Sequence, residues 1–151
     1  MKYLVLIREV QGAKRLVLSL LSRQPRSFGS FEAIIDTGSP RTVLGAADSI
    51  RMAIPFGKYP QSKSLSGFGK GSVPTVEIGN FLVAIKSAEG NSKYLDISLV
   101  VPDVPSLRNG DQNTFNHALT LPTLIGMDFL EKNRLKLVVN LPENESYLED
   151  V

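Results

Sequence analysis

The chain has 151 residues, 42% hydrophobic and 21% charged, with a formal net charge of +2. That balance suits one globular domain over residues 1–151 with a sizeable core, and scattered basic residues leave no footprint for nucleic acid. No cysteine and a single histidine, His117, exclude disulfides, thiolate chemistry and Cys- or His-rich metal sites, while the lack of a long apolar run excludes a membrane-spanning helix.

Residues 3–8 and 15–22 are β-prone apolar runs joined by Gln11-Gly12-Ala13, which predicts an N-terminal hairpin over 3–22. The apolar stretch 3–7 is too short for a secretory leader, so a cytoplasmic location is expected. Residues 23–30, with Pro25 and Gly29, read as a loop. Residues 31–35 form a buried-type strand that runs into Asp36-Thr37-Gly38-Ser39-Pro40, which is turn chemistry. Thr42-Val43-Leu44 resumes the apolar character, and 46–54 predicts a short helix closed by Pro55. Residues 57–72 are rich in Gly, Ser and Lys around Ser66-Gly67-Phe68-Gly69-Lys70-Gly71. Residues 73–78 and 81–86 flank Gly79-Asn80, a hairpin signal, and 94–101 is a further strand. Residues 102–121 read as a long polar connection with Asn109-Gly110-Asp111 at its middle, a length often tied to function. His117 falls there and reads as a surface residue. Leu124-Ile125-Gly126 ends a short strand, and 127–134 predicts a helix with Phe129 and Leu130 facing inward. A C-terminal hairpin over 135–148 turns at Pro142-Glu143-Asn144. The sum is a mostly-β domain with one or two short helices.

Asp36 is the unusual residue, because the end of an apolar strand is a costly place for a charge. Its side chain could simply cap the turn. The neighbouring motifs suggest chemistry instead. Ala33-Ile34-Ile35 leads to Asp36-Thr37-Gly38-Ser39. A Gly-rich hairpin candidate follows at 67–71, and then come Leu124-Ile125-Gly126 and a helix opening Met127-Asp128-Phe129-Leu130.

This order resembles the retropepsin-like aspartic proteases, the family of retroviral proteases and their cellular relatives, over roughly residues 31–139. The resemblance implies a closed β-barrel acid-protease fold with one lobe per chain. It implies an aspartic endopeptidase using two carboxylates that share one proton, since two like charges about 3 Å apart cannot both ionise. The ionised one acts as general base on a water, and the protonated one polarises the scissile carbonyl. The chain holds no second Asp-Thr-Gly or Asp-Ser-Gly, so the implied enzyme is a homodimer with one Asp36 from each subunit at the axis. Its substrate would be an extended polypeptide bound as an added strand, with no metal or organic cofactor.

Roles follow from the same resemblance. Thr37 would hydrogen-bond across the axis, and Gly38 would let the backbone approach the substrate. Gly67, Gly69 and Gly71 would form a flap with Phe68 and Lys70 over the substrate. Val43, Leu121, Pro122 and Leu124 would wall the pockets, although ordinary core packing accounts for them equally well. Ser39 could donate to the Asp36 carboxylate and favour its charged form, which would carry activity to lower pH than in an alanine-bearing relative. Retroviral proteases place an acidic residue and an arginine where this chain has Pro40 and Met127, so a dimer needs other bracing, from Met127 or from the terminal hairpins. Asp128 is a candidate helix N-cap. Tyr147-Leu148 and residues 1–7 are candidates for an intersubunit sheet. Two other readings are a peptide-binding or assembly module with little or no protease activity, and an unrelated monomeric β-barrel in which Asp36 caps a turn.

Overall fold

The computed structural model describes residues 1–65 and 73–151. In it the apolar runs become ten strands in two sheets, with four short helices. The chain is mostly β, as its composition suggests. The strands are β1 (Lys2–Leu4), β2 (Leu6–Val10), β3 (Ala13–Ser22), β4 (Gly29–Ile35), β5 (Gln61–Leu65), β6 (Val73–Lys86), β7 (Ser92–Pro102), β8 (Thr123–Ile125), β9 (Leu135–Asn140) and β10 (Glu145–Asp150). The helices are α1 (Ala46–Arg51), α2 (Val104–Arg108), α3 (Gln112–Thr120) and α4 (Met127–Lys132).

The larger sheet is built around β3. One edge of β3 pairs antiparallel with β4, and the other pairs with β2 and then with β6. The β2–β3 hairpin turns at Gln11 and Gly12, whose φ values of 53° and 80° are both left-handed. That is the two-residue turn whose twist matches the strands it joins. On the far side of β4 lies β8, paired parallel with Ala33↔Thr123, Ile34↔Leu124 and Ile35↔Ile125 in register. Among the described residues the ladders form an open, branched path, so the expected closed barrel is not found.

Alternation along β4 turns Phe31, Ala33 and Ile35 into a core shared with Leu18, Leu20, Phe81, Val83, Ile97, Leu99, Ile125 and Phe129. Burial of such side chains contributes roughly 1.5–3 kcal/mol each, an upper bound because unfolded chains already bury some surface.

Four expectations need correction. Gly79-Asn80 is not a hairpin turn: β6 runs straight through it, and the β6–β7 register shifts between Ile78 and Phe81, which makes it a bulge. The reversal comes later, at Ser87–Asn91, where Ser87 N donates to Asn91 O and Gly90 has a φ of 91°. The connection 102–121 is not a plain loop. It folds into α2 and α3, which pack Val104, Leu107 and Ala118 against Ala46 and Val73 in a second small core. Asp111 caps α3 by accepting from Thr114 N at 3.2 Å, and His117 lies exposed on it. The α-helices therefore number four among the described residues, more than the one or two short helices expected.

The fourth correction concerns the first predicted strand, which is broken at buried Val5. Its second part joins β3, whereas β1 crosses to the smaller sheet, ordered β1-β10-β9. Tyr3 faces Leu148 and Leu4 faces Tyr147, so the two candidate segments for an intersubunit sheet pair with each other inside one chain. Buried Leu148 and Tyr3 anchor that sheet to the main core. The Tyr3 hydroxyl donates to Asp150 Oδ2 at 2.8 Å, and Lys93 forms an ion pair with Asp150 Oδ1.

Candidate active site

Strand β4 ends at Ile35, and the Asp36 amide donates to Ile125 O at 2.9 Å, which carries the parallel ladder with β8 one residue further. The chain then turns. Ser39 N donates to Asp36 O at 3.1 Å, and Gly38 N donates to Asp36 Oδ1 at 2.9 Å. The carboxylate is thus oriented by its own turn, in the manner of Asx turns. Asp36 is half-buried, while Thr37, Gly38 and Pro40 are exposed around it.

After the loop the chain returns on the other edge of β8. Val43 N donates to Leu124 O, and Val43 O accepts from Leu124 N, each at 2.9 Å. On its outer side this segment joins β7, with Leu44 N to Val100 O and Val100 N to Thr42 O both at 3.0 Å. Leu124 is therefore flanked by Ile34 on one edge and Val43 on the other. The Asp36 loop has to pass across the end of β8, and it does so over Gly126.

The crossing is tight. A Cβ on Gly126 would lie 2.4 Å from Arg41 O and 2.8 Å from Ser39 O, far inside contact distance. The loop also covers the start of α4: Met127 N donates to Ser39 O at 2.8 Å and Asp128 N to Pro40 O at 3.2 Å, which satisfies amides that helix starts leave unpaired. Buried Thr42 is a further tie. Its hydroxyl donates to Asp128 Oδ1 at 2.8 Å and accepts from Gly126 N at 3.1 Å. Asp128 is thus inside the first turn of α4, whose N-cap is Gly126, and is not the N-cap expected of it. Its second oxygen lies 3.8 Å from Arg41 Nε, and Arg41 pairs with Glu77 at 2.9 Å. An ion pair thus does brace this loop, built on Arg41 rather than on the Pro40 and Met127 positions.

Ser39 also differs from expectation. Its hydroxyl donates to Arg41 O at 2.7 Å, so its single proton serves the loop backbone rather than the Asp36 carboxylate.

Asp36 and Thr37 open onto a cavity of about 520 Å³. Of the expected pocket walls, Pro122 and Leu124 line it, together with Ile34 and Ile35. Val43 is buried in the sheet, and Leu121, half-buried, is not among the residues lining it. Val10, Gln11 and Arg15 from the β2–β3 hairpin, and Thr120 from the end of α3, complete the lining. The sequence reading missed these four residues. The signal available for Arg15 was register: β3 pairs Val17 with Ile34, and two more steps would set Arg15 across from Asp36. The expected flap residues Gly67, Phe68, Gly69, Lys70 and Gly71 lie outside the described residues. The strands on either side, β5 and β6, pair antiparallel up to Leu65↔Val73.

No protein-family model matches the chain, and no curated protein matches it in sequence. Solved structures do match. The EIAV protease complexed with the inhibitor HBY-793 aligns with a TM-score of 0.52 and 22% identity, over 86% of this chain and 98% of that one. A retropepsin-like aspartic protease from Rickettsia conorii aligns with a TM-score of 0.56 and 15% identity, over 97% and 89%. The retroviral protease-like domain of Ddi1 from Leishmania major aligns with a TM-score of 0.51 and 13% identity, over 91% and 90%. Identities this low speak to the fold alone. With the Asp36 loop threaded over Gly126 and seated on both edges of β8, the chain has the retropepsin-like aspartic protease fold.

Proposed function

We propose that the protein is an aspartic endopeptidase that acts as a homodimer, with Asp36 of each subunit sharing one proton and one water. The observation that carries this reading is the carboxylate itself. It stands half-exposed at the edge of a cavity large enough for side chains, oriented by the Gly38 amide, on a loop locked by Gly126, Thr42 and Asp128. A lone carboxylate has no partner to hold the shared proton, and Asp36, Thr37 and Gly38 are open to meet a second copy. One carboxylate would deprotonate the water, which attacks the peptide carbonyl. The other would donate its proton to the carbonyl oxygen, and the nitrogen would leave protonated.

The candidate segments for an intersubunit sheet, β1 and β10, are already paired within one chain, so the dimer would form through other surfaces. Exposed Met127 beside the loop, and the outer edge of β9, are the surfaces available for it. The peptide would lie as an extended strand across the two cavities.

The test is cleavage of a denatured protein mixture from acid to neutral pH by wild type and Asp36→Asn side by side, with sedimentation of both. Cleavage by the wild type alone, from a dimer, is the expected result. Cleavage that survives Asp36→Asn would end the proposal. A monomer that binds peptides without cutting them would support the binding-module reading instead.

A further inference from the structure

The cavity beside Asp36 holds one other charged side chain, Arg15. Most charges near this face have partners: Arg8 pairs with Glu32, Arg41 with Glu77 and Asp128, and Arg51 with Asp48. The Arg15 side chain is exposed and makes no ion pair or hydrogen bond among the described residues. Its position is nonetheless fixed. Arg15 sits in β3, cross-paired with Arg8 in the hairpin, and the β3–β4 register runs toward Asp36. The ladder stops at Val17↔Ile34, and beyond that point Arg15 and Asp36 both line the cavity.

An arginine presents five donors in a planar fork that matches a carboxylate and is charged at every working pH. The rest of the lining named above is apolar or neutral, so nothing else there could answer a charged side chain except Asp36, which repels anions and is engaged in the reaction. Val10, Pro122 and Leu124 would pack the aliphatic stem of a bound side chain while the guanidinium meets its end.

We propose that Arg15 is a specificity-determining residue that selects substrates carrying an aspartate or glutamate beside the scissile bond. This rests on the endopeptidase reading and adds the substrate class to it. Two subunits bring two Arg15 side chains, one toward each end of the cleft, so acidic residues are favoured on both sides of the cut. The pair forms in a partly solvated cleft, so the preference is moderate, about three- to tenfold over the neutral glutamine or asparagine analogue. It weakens as salt screens it.

The test uses two readouts on the full chain, with wild type, Arg15→Gln and Arg15→Glu. The first is the cleavage-site profile over a peptide library. The second is equilibrium binding, to Asp36→Asn versions of each, of labelled decapeptides that differ only by Glu, Gln or Lys at one position. Acidic preference in the wild type, its loss in Arg15→Gln and its reversal toward lysine in Arg15→Glu are expected in both readouts. Cleavage with a charge preference unchanged by either substitution overturns the inference and leaves the protease reading standing. Arg15-dependent binding of acidic peptides without any cleavage upholds the role of Arg15 and overturns the protease reading. No cleavage and no binding of any peptide overturns both.

Discussion

Replacing Gly126 by alanine tests the central feature of the site, the passage of the Asp36 loop over the end of β8. The new methyl would sit 2.4 Å from Arg41 O, 2.5 Å from Arg41 C and 2.8 Å from Ser39 O, all backbone atoms that cannot swing aside. Carbon–oxygen contacts settle near 3.3–3.6 Å, so the loop has to retreat by about 1 Å. Overpacking of this kind costs about 1–3 kcal/mol. The retreat also stretches the bonds from Met127 N to Ser39 O and from Asp128 N to Pro40 O, at about 1 kcal/mol each. The sum is about 3–5 kcal/mol, or a fall in melting temperature of about 10 °C for a chain of this size. The backbone at Gly126 is ordinary extended geometry, with φ at −95°, so the cost is steric and not conformational. Urea unfolding of Gly126→Ala should be compared with that of Gly79→Ala, where a Cβ meets nothing within 4 Å. The control should change stability by about 0.5 kcal/mol or less. A Gly126→Ala loss below about 1 kcal/mol, indistinguishable from the control, would refute the account of the crossing.

Three further outcomes are expected. Thr42→Val removes a buried hydroxyl that serves both Asp128 and the Gly126 amide, and should cost about 2–3 kcal/mol by thermal or urea unfolding. Ser39→Ala should leave the acidic limb of any pH–rate profile unmoved, because that hydroxyl donates to Arg41 O; a shift of the limb would show that the proton reaches Asp36 after all. Asp150→Asn should narrow the pH dependence of stability at both ends. Hydrogen bonds from Lys93 and then Tyr3 hold the Asp150 carboxyl below its usual value, so its stabilisation is present above about pH 3.9 and is lost as pH falls through the lowered folded value. The bond to Asp150 raises Lys93, whose contribution is present below about pH 10.4 and is lost as pH rises through the raised folded value. Tyr3 is raised first by burial and only then by Asp150, so part of its alkaline loss should persist in the variant. Melting curves across pH check the signs, and an Asp150→Asn curve parallel to the wild type would contradict them.

Much of the site was legible because short-range patterns dictate it. Ala33-Ile34-Ile35 could only be a buried strand, and a carboxylate followed by Thr-Gly at its end had to turn. Leu124-Ile125-Gly126 was readable as a strand stop, although the reason for the glycine, the backbone of Arg41 pressed against it, needed three dimensions. Failures came where tertiary context overrode local signals. Gly79-Asn80 carries hairpin chemistry, but both flanking halves find β7 as a partner, and the pair is absorbed as a bulge. Residues 102–121 look polar because α2 and α3 bury one narrow stripe, Val104, Leu107 and Ala118, and leave the rest to water. For Ser39 the Asp36 carboxylate is the acceptor the chemistry suggests, but the loop carbonyl two residues on takes the proton. Arg15 escaped notice since nothing local marks it, and only the β3–β4 register brings it to Asp36.

The pairing of β1 with β10 joins positions about as far apart as this chain allows: the Tyr3–Asp150 bond spans 147 positions. The β2–β3 hairpin closes over two residues, and loop entropy grows by about 0.6 kcal/mol per doubling, so closing the small sheet costs roughly 4 kcal/mol more. Contacts of that separation slow folding and form late. During synthesis the β2–β3 hairpin can assemble while β10 is still being made, and until then β1 offers an unpaired edge with Leu4 exposed beside it. The order of events is built into the topology: of the ten strands described, the earliest in the chain waits longest for its neighbour.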